Sequence, residues 1–204
     1  EVFEAALGRE SELPVGKEAD GIRGDFVLRN DKVEATISQN SPNRRANMST
    51  FYGEDGVSPG ALYDLTLRGA GNDQLVIYSP CGHGHVSYVR IAETRDKGEA
   101  AVESVTTAAK NGGIYKRHEY RVKDGTQGVF ITTTLRNETN KPQKVSTKAD
   151  FTRFESTGTT TDGIYWTDAI NPAHHCGYAV GTLDAKGAGG RSESMELAPG
   201  QEVV

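Results

Sequence analysis

Polar and apolar positions alternate with a period of two along most of this chain, and a period of 3.6 is scarcely present, so the sequence predicts strands and almost no helix. Phe26-Val27-Leu28, then Val33, Ala35 and Ile37 with Glu34, Thr36 and Ser38 between them, predict a hairpin closed by Arg29-Asn30-Asp31-Lys32. Further strands are predicted at Leu62 to Leu67, Gln74 to Ser79, His85 to Thr94 and Ala101 to Thr107, each bounded by Gly, Asn, Asp or Pro. In the middle, Tyr115, Arg117, Glu119 and Arg121 alternate with Ile114, Lys116, His118, Tyr120 and Val122. Asp124-Gly125 then turns the chain into the β-branched run from Gly128 to Asn137. Past the turn at Asn137 to Pro142, the residues Val145, Thr147, Ala149 and Phe151 predict one more strand, and only Phe3 to Leu7 suggests a helical turn. The expected fold is all-β: one domain over residues 1–204, built as a large antiparallel β-sandwich.

Two segments interrupt the alternation, and long irregular connections are where binding residues gather. Gln39 to Gly60 carries Arg44, Arg45, Asn47, Phe51, Tyr52, Glu54 and Asp55 among Gly, Ser and Pro, and is expected to be an irregular surface connection. Glu155 to Gly181 holds Tyr165, the sole tryptophan Trp166, Asp168, His174, His175 and Cys176, and is likewise expected to be irregular.

Composition narrows the partners. A net charge of -5 and no local run of Lys or Arg argue against nucleic acid and anionic membrane surfaces. No stretch approaches the roughly 20 apolar residues of a membrane span. Two cysteines exclude a disulfide-built miniature fold. Asn47-Met48-Ser49 and Asn137-Glu138-Thr139 match the N-glycosylation pattern, which arises by chance in many chains.

The most unusual feature is that Cys81-Gly82-His83-Gly84-His85 and His174-His175-Cys176 gather four of the five histidines and both cysteines. Cys and His suit Zn²⁺, with His83, His85, His174 and Cys176 as the candidate ligands. The spacing follows no established zinc signature, so a Cys81–Cys176 disulfide, unlinked thiols and ordinary hydrogen-bonding histidines remain open. Both clusters fall on connections and are expected to meet at one end or edge of the sandwich. Tyr165 and Trp166, with Asp162, Asp168, Asn171, His174 and His175, would suit a sugar: an aromatic face packs on a pyranose while polar groups take its hydroxyls. The plainer reading buries Trp166 in the core. Arg44 and Arg45 would make a clamp for a carboxylate or phosphate, or equally a surface ion pair. Asp150, Glu155, Asp162 and Asp168 supply carboxylates, but no nucleophile elbow, phosphate loop or metalloprotease motif is present.

Residues 120–151, YRVKDGTQGVFITTTLRNETNKPQKVSTKADF, resemble the central strands of the galactose mutarotase-like supersandwich. GIRGDFVLRNDKVEATI followed by GALYDLTL is similar to the β-rich domain found ahead of metallohydrolase domains in some exported bacterial proteins. The resemblance implies a supersandwich-like architecture and an extracellular or periplasmic place, and it transfers no catalytic residue. The last residues, Met195 to Val204, read as a chain entering a strand, so an accessory domain of a larger protein is the expected context. Two functions follow. One is a non-catalytic module that binds carbohydrate or packs on a neighbouring domain of the same chain, with no cofactor. The other is a sugar-active enzyme of mutarotase or lyase type using His and carboxylate groups.

Overall fold

The computed structural model describes residues 1–46, 56–94, 96–153, 156–161, 164–169, 176–181 and 194–204. In chain order the strands are β1 (Val2–Glu4), β2 (Phe26–Arg29), β3 (Val33–Ile37), β4 (Leu62–Leu67), β5 (Leu75–Ser79), β6 (Tyr88–Ala92), β7 (Glu99–Thr106) and β8 (Ile114–Lys123). They continue as β9 (Phe130–Asn137), β10 (Gln143–Ser146), β11 (Asp150–Arg153), β12 (Ser156–Thr161), β13 (Ile164–Ala169), β14 (Tyr178–Val180), β15 (Ser194–Leu197) and β16 (Glu202–Val203). A six-stranded sheet in the order β1-β2-β3-β4-β5-β11 faces a five-stranded sheet in the order β16-β9-β8-β7-β6. The pair β10-β15 and the three-stranded sheet β12-β13-β14 complete the fold. The protein is all-β and its two large antiparallel sheets pack as a sandwich. No helix among the described residues is long and apolar enough to cross a membrane.

The alternation explains the packing. Leu28, Val33, Ala35, Ile37, Leu62 and Leu75 from one sheet meet Ala100, Val102, Tyr120 and Val122 from the other in a common core. Burying each large apolar side chain of this kind contributes roughly 1.5–3 kcal/mol. On the opposite face of the second sheet, Arg117 lies across from Val105 and Glu119 across from Glu103. There the charges neutralise one another: Glu103 accepts from Arg90 and Arg117 at 2.5 Å each, Glu119 pairs with Arg117 and Arg121, and Arg121 pairs with Glu99.

Four expectations change. Val2–Glu4 is an edge strand paired to β2, not a helical turn, because Phe3 is buried there beneath Arg9 and Arg29. The strand expected from Val145 to Phe151 is two: β10 pairs with β15, and β11 pairs with β5 of the six-stranded sheet. The segment around Trp166 is an antiparallel sheet, not an irregular connection. Its β-branched run Thr159-Thr160-Thr161, followed by Asp162-Gly163 and Ile164, is a hairpin signal. The described residues of the Gln39 to Gly60 segment do lack strand and helix apart from Gly56, yet they are not superficial: Arg44, Ala46, Val57 and Ser58 are buried.

Gly60 shows how tightly that segment is held. Its φ is +73°, and a Cβ there would fall 2.1 Å from Ser104 Oγ. Its carbonyl accepts the Tyr120 hydroxyl at 2.9 Å. Gly60→Ala is expected to cost about 2–4 kcal/mol, from left-handed backbone strain and overpacking, measured as a lowered urea midpoint.

Candidate functional site

The three-stranded sheet presents two different faces. Thr167 and its cross-strand partner Tyr178 point inward and are buried. Tyr178 fastens the sheet to the sandwich: its hydroxyl donates to the Leu65 carbonyl at 2.8 Å and accepts the Gln74 N–H at 3.0 Å. The alternate positions face outward. Ile164 and Trp166 are 47% and 42% exposed, and Ala179, opposite Trp166 on β14, is exposed as well. On β12 the register sets Thr161, Thr159 and Thr157 opposite Ile164, Trp166 and Asp168. Among the described side chains, the outward face thus combines the Trp166 indole with Ile164 and Ala179. Tyr165 occupies the opposite phase from Trp166 and shares no face with it. With 42% of its surface exposed beside an alanine, the indole offers part of an aromatic face, which suits stacking on a ring with an apolar side.

No family model, curated protein or solved structure matches this chain. The reading of its sites therefore rests on local chemistry.

The remaining candidates separate. His174 and His175 lie outside the described residues, so the expected meeting of the two His/Cys clusters falls there too. Cys81 and Cys176 are both thiols, and they pack against different apolar clusters, Cys81 on that of Ile114, Leu135, Val145 and Leu197 and Cys176 on the central core. Among the described residues no three His, Cys, Asp or Glu side chains are grouped to hold a metal ion. His85 is exposed. His83 is half-buried, with Nε2 3.4 Å from Asp150 Oδ2, while its Nδ1 is buried without a hydrogen-bond partner among the described residues.

Arg44 is a structural residue, not a clamp open to a ligand. Its Nε and Nη2 donate to the two oxygens of buried Asp25 at 3.3 and 2.6 Å, Nη2 also donates to the Asp20 carbonyl, and Nη1 donates to the Arg45 carbonyl. The guanidinium also lies 4.5 Å from the Tyr63 ring centre. Arg45 is half-buried and its Nε has no hydrogen-bond partner among the described residues. The Asn137 amide is buried and donates to the Lys141 and Leu197 carbonyls, which closes that glycosylation pattern in the folded chain.

A cluster of polar side chains also lies between the sheets. Lys116 and His118 occupy core-facing positions of β8, opposite Thr106 and Ser104 of β7. His118 Nδ1 bonds Thr133 Oγ1 at 2.9 Å, whereas His118 Nε2, Ser104 Oγ and Thr106 Oγ1 are buried without hydrogen-bond partners among the described residues. Burial first, and then the Lys116 charge, push the His118 imidazole down to about 3, so it is neutral at pH 7. The signal was in the alternation: two polar side chains at the phase shared by Ile114, Tyr120 and Val122.

Proposed function

We propose that this chain is a non-catalytic β-sandwich module of an exported multidomain protein, and that it binds carbohydrate on the outer face of the three-stranded sheet. The observation that carries this is Trp166, the only tryptophan, 42% exposed on a strand whose exposed neighbours are Ile164 and, across the register, Ala179. A buried tryptophan would be core. A partly exposed indole on a pleated sheet matches the apolar face of a sugar ring, and the adjoining strand sequence is rich in threonine, whose hydroxyls suit a sugar's.

Native affinity gels cast with neutral and acidic polysaccharides test the reading. At least one polysaccharide is expected to retard the protein, and Trp166→Ala to weaken that retention about tenfold or more, as for a central aromatic anchor. Thermal unfolding should stay close to the parent value, since the side chain is outside the core. Wild-type mobility unaffected by every polysaccharide, or full retention by Trp166→Ala, would overturn it; in the first case the exposed Ile164–Trp166 face is a docking surface for a neighbouring domain.

A second reading, a sugar-active enzyme, draws on the 3.4 Å contact between His83 Nε2 and Asp150 Oδ2, an imidazole and carboxylate within reach of acid–base work. It requires sugar turnover that His83→Ala abolishes while polysaccharide retention is kept.

A further inference from the structure

The inner face of β8 touches two apolar clusters. Tyr120 and Val122 belong to the central core, whereas Ile114 belongs with Leu135, Val145 and Leu197. The core-facing positions between them are Lys116 and His118, and most of their cross-strand neighbours are polar as well. One row across three strands is Thr133, His118 and Ser104; the next is Leu135, Lys116 and Thr106. Residues paired in this way on one face of a sheet have Cβ atoms about 4.5–5.5 Å apart, so these side chains are immediate neighbours. Thr133 fixes the ring, with its Oγ1 2.9 Å from His118 Nδ1.

The patch holds more hydrogen-bonding capacity than the protein uses. His118 Nε2, Ser104 Oγ and Thr106 Oγ1 are all buried without hydrogen-bond partners among the described residues, and the three residues are only 5%, 1% and 4% exposed. Orphaned buried polar atoms are rare, and three on adjacent residues point to a polar species held among them. Its charge follows from the donors. Lys116 brings one positive charge, and the residues opposite it are a threonine and a leucine, not a carboxylate. Burial pushes its ammonium below the ordinary lysine value. With the Thr133 hydroxyl donating to Nδ1, the neutral ring carries its proton on Nε2, so the imidazole adds an N–H while Ser104 and Thr106 add O–H groups. A cation and three neutral donors complement an anion.

Size and valence narrow it further. One ammonium balances one negative charge, which disfavours phosphate and sulfate. Ser104 Oγ lies so close to Gly60 that a Cβ there would be 2.1 Å away, and the Tyr120 hydroxyl closes the central-core side by donating to the Gly60 carbonyl at 2.9 Å. Lys116 and Thr133 are only partly buried, which gives an ion a way in.

We propose that Ser104, Thr106, Lys116 and His118 form a binding site for one small monovalent anion, chloride in ordinary solution, held between the two sheets. The ion completes the hydrogen bonds of three buried donors and supplies the counter-charge of Lys116. It is a structural ligand of β7 and β8, and the site shares no residue with the Trp166 face.

The test compares the intact protein in sodium chloride and in sodium gluconate, whose anion is too large for the site, at equal ionic strength. In about 0.2 M chloride the melting temperature is expected to be about 3–6 °C higher than in gluconate. The chloride NMR line should be broadened by the folded protein and narrowed again by added bromide. Lys116→Met should abolish both effects, and should melt higher than the wild type in gluconate because the enclosed charge is gone. Thr106→Val, which keeps the shape and removes one hydroxyl, should weaken chloride binding about tenfold. Two wild-type results overturn the proposal without any variant: a chloride line that the folded protein does not broaden, and equal melting temperatures in the two salts. A chloride response that both variants keep at full strength also overturns it, because the ion then sits elsewhere.

Discussion

Asp25→Ala is expected to cost about 3–5 kcal/mol, the largest single-residue loss in this protein, because it leaves the buried Arg44 guanidinium without its counter-charge. Asp25 is fully buried and accepts four hydrogen bonds: from the Ile22 N–H at 2.9 Å, the Gln39 N–H at 2.8 Å, and Arg44 Nε and Nη2 at 3.3 and 2.6 Å. It thereby ties the chain after residue 39 to the turn that precedes β2. Urea unfolding should show the midpoint falling with little change in slope. The double variant Asp25→Ala/Arg44→Met should be less damaging than the sum of the two single changes, because the stranded charge is then gone as well. Additive losses would show that the pair does not act as a unit.

Buried groups are expected to pull stability in opposite directions as pH changes, and because two raised carboxylates outweigh one depressed imidazole above about pH 4, stability should be greatest near pH 4 and fall toward pH 8. On the acid side the main group is His118, whose imidazole is pushed down to about 3 in the folded chain, first by burial and then by Lys116. The unfolded chain takes up that proton near pH 6.5, so between about 6.5 and about 3 unfolding binds a proton and stability drops by about 1.4 kcal/mol per pH unit from this residue alone. Glu12, held at about 2 by Arg9 and Arg29, adds to the same limb lower down. On the alkaline side, Asp64 and Asp73 are both fully buried and both raised above the usual carboxylate range, chiefly by burial, with Asp64 also raising Asp73. The folded chain holds protons there that the unfolded chain has released, so their stabilisation is complete at and below about pH 4 and is lost as pH rises through the raised values. His118→Gln should flatten the rise below about pH 4 and steepen the fall between about pH 4 and 6.5, and Asp73→Asn should flatten that fall. Melting temperatures recorded from pH 3 to pH 9 check both, and a profile rising steadily with pH would contradict the role of the two aspartates.

A small core of this behaviour was legible in the chain. Period-two alternation specifies which side chains of β3, β4 and β8 share a face, because successive residues on a pleated strand point to opposite sides, and the all-β sandwich follows from that alone. The same alternation marked Lys116 and His118 as core-facing polar residues. Strand ends were harder: the run from Val145 to Phe151 keeps one periodicity while its two halves pair with different sheets, and periodicity carries no information about the partner strand.

What only the tertiary structure decided is which polar residues are structural and which are available. Arg44 and Trp166 invite the same expectation from sequence, a polar or aromatic group in a binding loop. In the fold Arg44 is surrounded by Asp25, two carbonyls and Tyr63, whereas Trp166 stands on an outward face beside an alanine. Likewise Cys81, in the turn after β5, packs on a cluster built from the distant residues Ile114, Leu135, Val145 and Leu197. The physical reason is the same in each case. Alternation and turn chemistry act over a few residues, while desolvation and charge pairing depend on neighbours brought from distant strands, and those neighbours exist only once the two sheets have closed on each other.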